Sequence, residues 1–242
     1  MLVAAAVLPH PPLLVPEVAS GAAPELLALR EACDAAVADV AAAHPDRIVV
    51  VGSGSCRRTH GPGAVGSFAG FGVPTAVHLA GPPAGPPPQV AALPLSLTVG
   101  AWLLARSSWR GPTTAHELPD DVSAGDAAAL GAELAGGAER VGLLAMGDDT
   151  ARLAPSAPGA LDDRAAGWHN EVAEAMATGD VQRLLGLDPG LAGDLMVAGR
   201  GPWQVLAAGA AEQSSRPDTR LLADEVRYGV GYLVASWTWR TA

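Results

Sequence analysis

The chain has 242 residues, 49% of them apolar and 17% charged, with a net charge of −10. That balance excludes a disordered chain, and the length suffices for a core without disulfide or metal staples. An acidic chain whose one adjacent basic pair is Arg57–Arg58 lacks the clustered basic surface that nucleic-acid binding needs, so no nucleic-acid partner is expected.

Leu2–Leu8 is an apolar run without the basic leader of a signal peptide, and it reads as a buried first strand. Residues 23–43 read as a helix, with Leu26, Leu29, Cys33, Val37 and Val40 at helical spacing. Ile48–Val51 is β-branched throughout and reads as a central parallel strand, apolar on both faces. The Gly-rich stretch 52–72 reads as a long loop, 73–79 as a strand, and the Pro/Gly-rich 81–88 as an exposed connector. A helix over 95–105 and a weak strand over 113–118 follow. Ser123 then caps a helix through Ala135, and 140–146 is a further buried strand. Residues 161–177 read as a helix, and 181–185, 189–197 and 202–211 as shorter ones. Residues 220–223 and 230–237 read as closing strands.

Alternating strands and helices predict a single α/β domain over 1–242, with a largely parallel or mixed central sheet and helices on both faces. No run approaches about 18 apolar residues, so no membrane span is expected. Two cysteines, Cys33 and Cys56, are too few for a disulfide framework or zinc site, and reduced thiols in a cytoplasmic protein are expected.

Several motifs fail on inspection. Gly52-Ser-Gly54-Ser-Cys-Arg57 follows a strand but lacks the third glycine of a dinucleotide fingerprint. The chain contains no lysine, which rules out a Walker-type phosphate loop. Gly54, not Ser, stands at the centre of the only elbow-like segment. Cys56 near His60 could act as a thiol nucleophile, although a lone cysteine is more often a small buried hydrophobe.

Histidines carry more information. His44 falls at a helix end and His78 in an apolar strand, which suggests a surface and a core position; His116 and His169 are unassigned. His10, held in Pro-His-Pro-Pro, and His60 each lie beyond a buried strand. Ligands of open parallel sheets collect outside the strands' carboxyl ends. With Glu225, between the last two strand candidates, they would give two imidazoles and one carboxylate, a set suited to non-haem Fe(II). Asp148, Thr150 and Arg200 are candidates for a substrate pocket. Arg200 could bind a carboxylate in a bidentate pair, and the Asp148–Asp149 pair could equally cap the next segment.

Pro9-His10-Pro11-Pro12-Leu13-Leu14-Val15-Pro16-Glu17 resembles the opening motif of the class III extradiol ring-cleavage dioxygenase superfamily, of the catalytic B-subunit type related to the Memo family. The strand 48–51 with its following His-Gly-Pro resembles the second ligand segment. Gly147-Asp148-Asp149-Thr150-Ala151-Arg152-Leu153 resembles the family's Gly-Asp-Leu-Ser-His-Arg-Leu. Segments 157–159, 199–203 and 228–235 fit later blocks in order. The resemblance implies a mixed-sheet α/β domain, often dimeric, hence a homo-oligomer. It also implies Fe(II) on His10, His60 and Glu225, which would bind a catecholic aromatic substrate and O₂ and open the ring. This chain departs from the pattern at two places. The family's acid/base histidine aligns with Ala151, which cannot transfer a proton, and its second ligand aligns with Gly54, so His60 serves only across an insertion of about six residues. Asp224 could replace Glu225. The departures leave open a non-catalytic relative that binds a ligand or a protein.

Overall fold

The computed structural model describes residues 1–81 and 92–239. The Pro/Gly-rich connector therefore lies outside the described residues, apart from Gly81. Among the described residues, nine strands form two sheets. The larger contains β1 (Leu2–Leu8), β2 (Arg47–Gly54), β3 (Arg58–His60), β6 (Thr113–Pro119), β7 (Val141–Met146), β8 (Asp218–Arg227) and β9 (Val230–Thr238), in the order β3-β6-β2-β7-β1-β9-β8. β6, β2, β7 and β1 run parallel, while β3, β9 and β8 are antiparallel to their neighbours. The sheet is thus mixed, as the sequence allowed. β4 (Val65–Ser67) and β5 (Ala76–His78) pair in a separate ribbon.

Every residue of β1 is buried, and its side chains alternate between two cores. Ala4, Ala6 and Leu8 join Cys33, Val37 and Val40 of α2 (Leu27–Ala42) and Leu97 and Leu103 of α3 (Leu95–Arg106). Ala5 and Val7 join Leu130 of α4 (Ala124–Ala135), Val172 and Met176 of α5 (Ala165–Thr178), and Val205 and Leu206 of α8 (Arg200–Ala211). Helices therefore cover both faces. Short helices α1 (Pro16–Ala19), α6 (Val181–Leu185) and α7 (Pro189–Asp194) complete the connections. Among the described residues, no helix is long and apolar enough to cross a membrane.

Several boundaries shift for local reasons. Pro24 lies in a 3-10 segment spanning Ser20–Leu26, and α2 begins only at Leu27. A proline cannot supply an interior helical N–H, which accounts for the late start. The segment 52–72 is not a plain loop, because it carries β3 and β4. His78 is exposed in the small ribbon, not packed in the core. Cys33 is buried as expected, and both cysteines are free. Ser123 caps α4 as its sequence suggests, its Oγ accepting from Asp126 N at 3.0 Å.

Candidate functional site

Parallel strands β1 and β7 end side by side, and their exits carry the polar residues. Leu8 leads into Pro9-His10, and Met146 into Gly147-Asp148-Asp149. Adjacent acids at a strand exit point to opposite sides of the sheet, and here each finds a different histidine.

On the α2 side, Asp148 Oδ1 accepts the backbone N–H of His10 at 2.7 Å. The His10 ring lies alongside, its Nδ1 3.8 Å from the same oxygen, too far for a hydrogen bond. That nitrogen is buried and has no partner among the described residues. Burial pushes the Asp148 carboxyl above its ordinary range, with His10 opposing the shift. An uncharged carboxyl can donate as well as accept.

On the α5 side, Asp149 is fully enclosed. It accepts Trp168 Nε1 at 3.0 Å and His169 Nδ1 in a short contact. His169 Nε2 meets Asp224 Oδ1 at 2.8 Å. Carboxylates at both nitrogens favour the ring's two-donor, protonated form. The bond from Asp149 raises the His169 pKa, and burial opposes it. Gly231 makes room for this cluster, since a Cβ there would lie 2.8 Å from Asp149 Oδ2 and 2.9 Å from His169 Nδ1.

The structure does not bring the three expected iron ligands together. His60 stands on β3, four places from β1 in the sheet, which is on the order of 19 Å of backbone. Its Nε2 faces Glu117 Oε2 at 3.1 Å. The other Glu117 oxygen accepts Ser55 N at 2.9 Å and Cys56 N at 3.3 Å. Burial pushes the Glu117 carboxyl up, but His60 and these N–H groups outweigh it and hold it below its usual range. A side chain at Gly54, where the resemblance puts the second histidine, would run into that carboxylate. Glu225 accepts Arg227 Nε at 2.9 Å. Among the described residues, no three His, Cys, Asp or Glu side chains are grouped so as to hold a metal ion. The donors as placed do not fit a two-histidine, one-carboxylate iron site.

The remaining pocket candidates are committed to the fold. Thr150 is buried and donates to Leu195 O at 2.8 Å. Arg200 is buried and donates to Gln204 Oε1 (2.8 Å), Asp120 O (3.0 Å) and Val122 O (2.7 Å). The sequence left His169 unassigned, offered Asp149 no histidine partner and did not single out Glu117. A separate groove of about 510 Å³, lined by residues including Asp180, Gln213, Ser215 and Arg216, contains no buried unpartnered side chain.

No known protein family's sequence pattern matches this chain, and no curated protein does. Among solved structures, the chain is similar to the uncharacterized protein JW3007 from Escherichia coli K12. The two are 16% identical with a TM-score of 0.56, over 98% of this chain and all of the other. At that identity the likeness establishes the fold alone.

Proposed function

We propose that this chain is a ligand-binding relative of the extradiol dioxygenase fold, taking a small hydroxylated aromatic molecule at the carboxyl edge of its sheet through His10 and Asp148. The observation that carries this reading is the buried, unpartnered Nδ1 of His10 beside a carboxyl whose pKa burial raises. Buried polar groups in a finished core are hydrogen-bonded, so this pair has bonding capacity that the fold does not use. An imidazole nitrogen accepts from a phenolic hydroxyl, and a protonated carboxyl donates to a ligand oxygen. Tyr232 packs in the core cluster on the same side of the sheet.

Iron-dependent ring cleavage is the competing reading. The motif blocks, running in family order, favour it, but it requires His60 to leave Glu117. Tryptophan fluorescence on chelator-treated protein distinguishes the two, with catechol as the probe. The expected result is saturable binding without metal, weakened at least tenfold in His10→Ala. Binding that requires added Fe(II), with oxygen uptake lost in Glu225→Ala, would establish the enzyme instead.

A further inference from the structure

We infer that β8 is a self-pairing edge, and that two copies of this chain join their sheets antiparallel across a twofold axis between Leu222 and Ala223. β8 is a ten-residue strand with β9 as its only strand neighbour among the described residues. Such an edge offers unpaired N–H and C=O groups as a template for another strand. Its charge pattern selects the partner.

Opposite the even-numbered residues of β9, from Val230 to Thr238, stand Asp218, Arg220, Ala223, Glu225 and Arg227, so these share one face. The extra residue between Leu221 and Ala223 keeps them on that face across the strand's middle. Rotation about the proposed axis sets Asp218 opposite the second copy's Arg227, and Arg220 opposite its Glu225. On the other face Thr219 meets Val226, and Leu221 meets Asp224. Each face meets its like, as an antiparallel ladder requires. A slip of two residues one way opposes Asp218 to Glu225, and the other way opposes Arg220 to Arg227. Like charges directly opposite are unfavourable, so neighbouring registers are rejected.

Asp218 is exposed and makes no ion pair among the described residues. Val226 and Tyr228, at the other end of the strand, are 48% and 50% exposed. The edge thus carries an unpaired charge and apolar surface where the second copy would cover them. This inference is independent of the ligand proposed above.

Asp218 and Arg227 lie nine residues apart on one strand, about 30 Å, so they cannot compensate within one chain. That separation makes the test specific. Sedimentation equilibrium is expected to show a dimer for the unaltered protein. Asp218→Arg and Arg227→Asp should each weaken self-association roughly tenfold or more, because two cross-strand contacts change sign. An equimolar mixture of the two variants restores both contacts and should dimerise again. A monomeric unaltered protein, or single variants that dimerise undiminished, would overturn the inference. So would a mixture of folded variants that stays monomeric. If a single variant fails to fold, the charge-swapped double variant carries the test: it should dimerise, and a monomer refutes the register.

Discussion

His169 shows how one side chain can lock a sheet edge. Its two nitrogens reach acids on different elements, Asp149 after β7 and Asp224 on β8. The free imidazole titrates near pH 6.5, and its pKa in the fold is higher. Protonation is therefore linked to folding. The stabilisation is full below about pH 6.5, the unfolded value, and is lost as pH rises through the folded one. The melting temperature of the unaltered protein should fall across that interval relative to His169→Gln, which lacks the titrating ring. Parallel profiles for the two proteins would show that the cluster does not titrate as described. The sequence made His10 visible because prolines flank it beyond a buried strand. It hid His169, since Trp168-His169 sits on a helix whose face could not be fixed. The usable signal was Asp148-Asp149: two acids at the exit of a buried strand, one directed to each face.

At the level of elements, strong local patterns survived and weak ones yielded to tertiary context. The β-branched 48–51 became a central strand and the apolar 2–8 a fully buried one, each as read. β3 was invisible because three residues, Arg-Thr-His, carry no periodicity, and only pairing with β6 makes them a strand. Arg200 illustrates the reverse error, a charged side chain suggestive of substrate that instead joins elements. It ties α8 to the β6–α4 connection, while Gln204 donates to Leu185 O and Leu187 O, each at 3.1 Å. Arg200→Ala should destabilise by about 3 kcal/mol, because hydrogen bonds from a charged donor are worth more than neutral ones and buried carbonyls lose their partner. Arg200→Lys should not rescue it, lacking the planar fork. Urea midpoints give the measurement. An unchanged midpoint with catechol binding lost would return Arg200 to the ligand site.

Across the whole molecule, the two sheet edges are finished differently, and that difference predicts where the structure opens first. Among the described residues β8 is long and has no strand beyond β9, whereas β3 is short and anchored by a buried side-chain cluster. Order and register of the strands could not be read from sequence, because they depend on contacts far apart in the chain. Glu117 is such a case: on β6 it gathers Ser55, Cys56 and His60 from the segment read as a loop. Its lowered carboxyl pKa stabilises the fold above the unfolded value, and the contribution is lost as pH falls through the folded one. Glu117→Ala leaves two backbone N–H groups and an imidazole without their acceptor, a loss of about 1–3 kcal/mol. Because β6 is the one strand that pairs with β3 among the described residues, that loss should appear as local opening before the parallel core is affected. Hydrogen exchange of residues 55–60 should then accelerate in the variant, while β1 and β7 keep their protection. Uniform acceleration would mean that Glu117 supports the central sheet as a whole, and unchanged exchange that the edge is held by its backbone pairing alone.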